Sequence, residues 1–335
     1  MGNTVSEVDN NIYYRRLLRF SESSHLIPDV GIDESLVKYS GLNSAAELES
    51  SITRVLGHKS RKTPDYVESL GSALTDFKRV SNAVGLGGLV LSMDLELIIT
   101  GLKNKTESKH STLGMMRRVF AEEKASGVRD SMDEYLKRLC MNLHRPTRAL
   151  EETERLEKQL SEQLTRLKNS MLHDNQMSSR SLKHWANGAA FHLQMLLHAA
   201  RLKIQCTTER KAQLQVHLAS INTVLDSYQF DLEELIKQYK TYKKSTISFY
   251  QPGCPFPNFT LIVEDEELER VATREAFVEY PRNMSSDEYV DYMFDNWSQL
   301  KEVKSYFSDL KEKVKDLILE NYEFNLQKVL PFSIP

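Results

Sequence analysis

From Leu214 to Phe249, apolar or aromatic side chains recur at alternating steps of four and three. They are Leu214, Leu218, Ile221, Leu225, Tyr228, Leu232, Leu235, Tyr239, Tyr242 and Phe249, with Thr246 as the one polar rung. A seam held at that spacing through about five heptads predicts one helix of roughly 60 Å. Its register puts Leu218, Leu225, Leu232 and Tyr239 at a, and Leu214, Ile221, Tyr228, Leu235 and Tyr242 at d. Leucine at a, with no β-branched residue there, is not the pattern of a parallel dimer. Val224 and Ile236 fall at flanking positions and widen the stripe beyond a two-stranded seam. Such a helix needs several neighbours, and the expected fold is all-α: an elongated antiparallel bundle of long, coiled-coil-like helices with this ladder as its spine.

The rest of the chain supplies those neighbours. No proline lies between Pro64 and Pro146, or between Pro146 and Pro252, so long helices can run uninterrupted there. Ser44 and Glu47 form a capping box that opens a first helix ending at Gly57. Thr63 and Pro64 open a second, with Tyr66, Leu70, Leu74 and Phe77 on one face. Val128, Met132, Tyr135, Leu136, Leu139 and Leu143 share a face of the next, which stops at Pro146. From Thr147 to about Leu172 the chain is strongly charged around a stripe of Leu150, Leu156, Leu160, Leu164, Leu167 and Met171. Glu151–Arg155, Glu154–Lys158 and Glu162–Arg166 are spaced for intrahelical pairs. After a turn at 173–179, residues 181–203 are apolar on nearly every side, as a helix central to a bundle would be. Thr207 or Thr208 then caps the ladder.

Beyond Tyr250, three prolines in QPGCPFPNF end the ladder helix. Phe259–Val263 is the only extended segment expected, without a partner strand, and a short helix from about Glu266 to Val278 follows it. Ser285 or Ser286 caps a last long helix with the stripe Met293, Trp297, Leu300, Val303, Phe307, Leu310, Val314, Leu317 and Phe324. The expected organisation is therefore a flexible segment (1–43, with one short turn near 34–38), a main bundle (44–250), a Pro-rich bridge (251–284), and a carboxy-terminal helix with an apolar tail (285–335).

The most apolar run, 83–102 (AVGLGGLVLSMDLELIITGL), is 20 residues long, enough to span a bilayer. Roughly ten Leu, Ile and Val favour insertion by about 0.3–0.6 kcal/mol each, while Asp94 and Glu96 each oppose it by about 2.5–3.5 kcal/mol. The terms cancel or come out unfavourable. The segment is therefore expected as a buried hairpin, its glycines at 85, 87 and 88 allowing close packing. The sharper alternative is conditional insertion once Asp94 and Glu96 are protonated. Leu86, Leu89, Val90, Leu91, Leu97, Ile98 and Ile99 would then carry the membrane contact, in the manner of helical pore-forming proteins.

The block WANGAAFHLQMLLHAARL at 185–202, with RVFAEEKASGVRDSM at 118–132 and LEKQLSEQLTRLKNSML at 156–172, resembles a family of uncharacterised helical proteins found in teleost fish. More distantly it resembles the rapunzel group. The likeness spans roughly residues 65–250 and implies an α-helical fold with a hydrophobic segment ahead of the long helices. It implies no substrate and no active-site residues, and Asp94 and Glu96 interrupt the hydrophobic segment in this chain.

Chemistry-bearing motifs point away from catalysis. GLGG at 85–88 lacks the Lys-Ser/Thr of a phosphate loop, and no GxSxG, HExxH or EF-hand pattern occurs. His184, His192 and His198 are spaced by eight and six, not at the i, i+4 of a helical zinc pair, and read as satisfied or half-exposed histidines. Cys140, Cys206 and Cys254 are dispersed, which argues against a disulfide framework or zinc site and for a reducing compartment. With 47 acidic and 44 basic side chains, no nucleic-acid partner is expected. MGNTVS fits the N-myristoylation pattern, with Gly2 as acceptor. Arg15, Arg16 and Arg19, or His58, Lys59, Arg61 and Lys62, would be the nearest basic help for such an anchor. No basic and apolar leader opens the chain, so a cytoplasmic location is expected, at the cytoplasmic face of a membrane if Gly2 is acylated. The expectation is a non-enzymatic interaction or scaffold protein without cofactor or metal. Its partners would be protein, membrane lipid through the anchor, or a second copy of itself.

Overall fold

The computed structural model describes residues 4–57, 77, 79–103, 111–121, 126–252, 259–276 and 284–329. Gly2, the basic cluster at 58–62, the helix expected from Thr63 apart from Phe77, residues 253–258 (with Cys254) and 277–283 of the Pro-rich bridge, and the tail LPFSIP lie outside them. The described residues are 76% helix with a few short antiparallel strands. The helices are α1 (Thr4–Ser23), α2 (Glu34–Ser40), α3 (Ser44–Gly57), α4 (Leu86–Lys103), α5 (Met115–Phe120), α6 (Gly127–Asn142), α7 (Pro146–His173), α8 (Ser179–Cys206), α9 (Arg210–Thr246), α10 (Ser286–Asn296), α11 (Ser298–Leu319) and α12 (Leu326–Val329). The strands are β1 (Arg79–Val80), β2 (Ile247–Tyr250), β3 (Phe259–Asp265), β4 (Arg270–Ala276) and β5 (Phe324–Asn325).

Two compact units emerge, each assembled from separated stretches of chain. One comprises Met1–Gly31, Lys168–Lys183 and Asp231–Lys304; the other comprises Ile32–Leu167, His184–Phe230 and Ser305–Pro335.

The first unit contains what the sequence reading missed most. The amino-terminal stretch, expected to be flexible, carries the 20-residue α1. There Tyr14 donates to Glu288 at 2.6 Å and Tyr289 donates to Ser21 at 2.8 Å. The lone extended segment has two partners: β3 pairs antiparallel with β2 on one side and β4 on the other. Phe249 therefore leaves the ladder, since α9 ends at Thr246 and Phe249 sits in β2 opposite Val263. The helix expected at 266–278 is instead the turn and strand β4. Lys243 is wholly buried beneath this hairpin, bonded to Asp265 and, at 2.9 Å, to Glu267. Glu267 also accepts from Tyr239 at 2.9 Å. Tyr239, Phe294 and Trp297 form an aromatic cluster with centroids 5.6–6.3 Å apart. At Trp297 the extended backbone breaks the expected last long helix into α10 and α11.

In the second unit the apolar run at 83–102 forms one helix rather than a hairpin. Gly85, with φ of +55°, turns the chain into α4, and α4 packs against α2, α3, the 3-10 turn Thr112–Gly114 and α6. The part of α8 in this unit is buried all round. Trp185, Phe191, Leu193, Leu197 and Leu202 are each at most 2% exposed, as periodicity on every face predicted. Gly188 marks the closest approach, because a Cβ there would lie 2.7 Å from both Leu164 and Val128. Tyr135 meets Phe191 edge-on, and Trp185 meets Tyr228 likewise, at 5.7 Å. The stripes of α6 and α7 face inward as expected. The ion pairs on α7 do not follow expectation: Arg155 pairs with Glu152, Arg148 with Glu151, and Glu154 with Lys203 of α8. Phe324 belongs to β5, which pairs with β1, and not to the last helix.

Candidate functional site

The two sets of residues singled out by sequence have different surroundings. In α4, Leu86, Leu89, Val90, Leu91 and Ile99 are buried, Ile98 is half-buried and Leu97 is exposed. Glu96 is 5% exposed and fully engaged. It accepts from the Leu113 amide at 3.0 Å and from Ser51 at 3.4 Å, with Arg54 at 3.7 Å. Asp94 stands beside the Cys140 thiol, and burial raises its pKa. Burial and that carboxylate push Cys140 up to about 12, so this cysteine is a thiol, not a nucleophilic thiolate. Along α9, Ile221, Leu225, Tyr228, Leu232, Leu235 and Tyr239 are buried, while Leu214, Leu218 and Tyr242 are only half-buried. The ladder is thus deep from Ile221 to Tyr239 and shallower at both ends.

The histidines behave individually. His184 Nε2 contacts the Val119 carbonyl at 3.1 Å. His192 bridges Glu157, at 3.1 Å from Nε2, and the Tyr228 hydroxyl, at 2.8 Å from Nδ1. The acid that sequence did not place near it comes from α7. His198 is buried, and neither ring nitrogen has a hydrogen-bond partner within the protein. Burial, then the neighbouring Arg201 charge, lowers its pKa to about 3, so its ring is neutral. Among the described residues no group of His, Cys, Asp and Glu could hold a metal ion.

Sequence reasoning did not single out the polar centre of this unit, which gathers around Arg201. This arginine is 1% exposed on α8, within the stretch His184–Leu202 that is buried almost throughout. Its Nε donates to the Leu317 carbonyl at 2.6 Å, its Nη2 lies 3.3 Å from Glu320, and its Nη1 has no acceptor in the protein. The guanidinium lies against Gly85, where a Cβ would fall 2.3 Å from Nη1, so glycine is required there for space as well as for its backbone angle. Burial lowers the Arg201 pKa to about 10, with Glu320 acting against the shift, so the cation persists at neutral pH. Ser44 joins the same centre: it accepts from the Gly85 amide at 3.1 Å and donates to Glu320 at 3.3 Å. The residue that sequence marked as the cap of α3 spends its hydroxyl on tertiary contacts. The available signal was an arginine within a stretch of α8 that is apolar on nearly every side, because a buried charge demands a partner.

Beside this centre, the end of α8, the start of α9 and the end of α11 with its following residues enclose a cleft of about 390 Å³. Its walls carry Arg201, Gln205, Arg210, Lys211, Glu320 and Asn321 together with apolar Ile204, Leu214, Ile318 and Leu319.

A second surface lies on α9 itself. Ala212, Gln215, Val216, Ala219, Ser220, Thr223, Asp226, Ser227 and Phe230 are all exposed, and only Asp226 is charged, paired with Lys311. Val216 and Phe230 are 62% and 65% exposed. By contrast, the exposed face of α7 carries Glu151, Arg155, Lys158, Glu162 and Arg166.

Compared with protein families, curated proteins and solved structures, the chain matches none.

Proposed function

We propose that this chain is a non-enzymatic helical interaction protein that engages a protein partner through the outer face of α9. The carrying observation is that face. Ala212, Val216, Ala219, Thr223, Asp226 and Phe230 repeat at four-three spacing and are exposed, in a stretch where a solvated helix would ordinarily be charged. A row of small residues bracketed by Val216 and Phe230 suits a further helix laid along it, extending the coiled-coil logic of the ladder to an intermolecular seam. A photo-crosslinking amino acid at Val216 or Phe230, expressed in the full chain in cells, should give one discrete adduct, with a second copy or with another protein. Val216→Glu combined with Phe230→Glu should abolish it while leaving the circular dichroism spectrum unchanged. Only uncrosslinked monomer from both positions overturns the proposal. Membrane association through Gly2 at the cytoplasmic face rests on the MGNTVS pattern, and the mass of the amino-terminal peptide with membrane fractionation tests it.

One observation favours a second reading, in which α4 leaves the fold and inserts into a bilayer. Burial already raises the Asp94 pKa, which lowers the cost of neutralising it. Against it, no helix among the described residues is long and apolar enough to cross a membrane, and Glu96 is held by an amide, a hydroxyl and an arginine. Dye release from anionic liposomes at pH 5 but not at pH 7, lost in Leu97→Asp, would favour insertion. Equal, absent release at both values removes it.

A further inference from the structure

We infer that the cleft at the start of α9 binds an anionic amphiphile, with its charged group on Arg210 and Lys211 and its apolar body against Ile204, Leu214, Ile318 and Leu319. Charge is the first reason. Four ionised side chains line the cleft, and two of them, Arg201 and Glu320, offset each other as a pair. Arg210 and Lys211 remain, both exposed, so the cleft carries a net positive charge. The start of a 37-residue helix adds the partial positive charge of its first-turn amides at the same place. At the opposing end of α11, the Leu317 carbonyl accepts from Arg201 and the Asp316 carbonyl from the Glu320 amide.

Built burial is the second reason. A wall of the cleft is formed by an arginine 1% exposed, fixed by Leu317 and Glu320, that still keeps a donor nitrogen without a protein acceptor. Gly85 is shaped to let that guanidinium sit where it does. Arg201 and Glu320, held by their mutual pairing and by the Leu317 carbonyl, give the exposed Arg210 and Lys211 a fixed wall to stand beside, so little of the site has to be ordered on binding.

Composition is the third. Four of the ten lining residues are aliphatic, and Leu319 is 50% exposed at the rim. A free inorganic anion would leave that surface wet, whereas an alkyl chain would cover it. The volume of about 390 Å³ falls within the range of about 300–1,000 Å³ common to small-ligand sites.

Calorimetric titration of the full chain with dodecyl phosphate, below its micellar concentration, tests the inference. Inorganic phosphate and dodecyltrimethylammonium serve as the anion-only and alkyl-only comparisons. Dodecyl phosphate should bind about tenfold or more tightly than either. Arg210→Glu with Lys211→Glu, both at exposed positions, should weaken it by about tenfold or more without changing helical content. Leu319→Ser should weaken dodecyl phosphate while leaving inorganic phosphate unchanged. Sedimentation with phosphatidylserine vesicles identifies the source: co-sedimentation lost in the double variant assigns the amphiphile to a bilayer, and binding in solution without it assigns a free ligand. Equal affinity for dodecyl phosphate and inorganic phosphate, or for dodecyl phosphate in the wild type and the double variant, overturns the inference.

Discussion

His198 is enclosed beside Arg201 with both ring nitrogens lacking a protein partner, and its pKa is lowered from 6.5 to about 3. Unfolding returns the ring to its ordinary value. Between about pH 6.5 and pH 3 the unfolded chain therefore binds a proton that the folded chain refuses, and stability falls as pH falls through that window. Each pH unit costs about 1.4 kcal/mol from this one group. His198→Leu should flatten the decline, seen as urea midpoints at pH 7, 6, 5 and 4 that start close to the wild type's and rise progressively above them as pH falls. Parallel profiles would show that the ring is not the source. At pH 7 the variant should differ by less than about 1 kcal/mol, because the lost polar atoms had no protein partner to leave behind. The sequence reads this histidine as satisfied or half-exposed, whereas it is buried without a protein partner. Its isolation was not legible, because that depends on Arg201 from its own helix and on partners of that arginine more than 110 positions away.

The hairpin β3–β4 and the end of α9 meet over Lys243, which is wholly buried against Asp265 and Glu267. Lys243→Met should cost about 3–5 kcal/mol at pH 7, since two buried carboxylates lose their cation. Protonating those acids relieves the deficit, so denaturant midpoints of variant and wild type should lie closer at pH 5 than at pH 7. An equal gap at both values would assign the loss to packing. Of this hairpin the sequence showed the extended segment at 259–263 but neither its partners nor strand β4. EDEELERVATREA is rich in helix formers, and the left-handed position of its turn is filled by Glu269, at φ of +52°, where glycine or asparagine would have signalled a reversal. The same limit appears at Ser44. The capping box located the start of α3 correctly, but a local pattern cannot reveal that the hydroxyl is taken by Gly85 and Glu320. Where an element's character depends on its own period, as in α6, α7, α8 and the deep part of α9, the sequence sufficed. Where it depends on a distant partner, as in β2, β4 and the cleft, it did not.

Each compact unit is drawn from three separated stretches of chain. The 44–250 segment, which reads in sequence as a self-contained bundle, omits buried Leu36, Tyr39, Phe307, Val314, Leu317 and Phe324 of the second unit. At about 1.5–3 kcal/mol for each large apolar side chain, that omission matches or exceeds the whole stability of a typical domain, about 5–15 kcal/mol. A 44–250 fragment should therefore keep helical dichroism but lose its cooperative thermal transition, whereas the full chain should show one. Sharp unfolding of the fragment would show that the remaining stretches are dispensable. Within the second unit the deeper organiser is the stretch of α8 from His184 to Leu202, buried almost throughout. That enclosure has a kinetic meaning. Amides between about 185 and 200 have no route to solvent short of unfolding the whole core, so their deuterium uptake should be the slowest in the molecule and should track its global free energy. The exposed first turns of α9, at 210–220, should exchange orders of magnitude sooner through local opening.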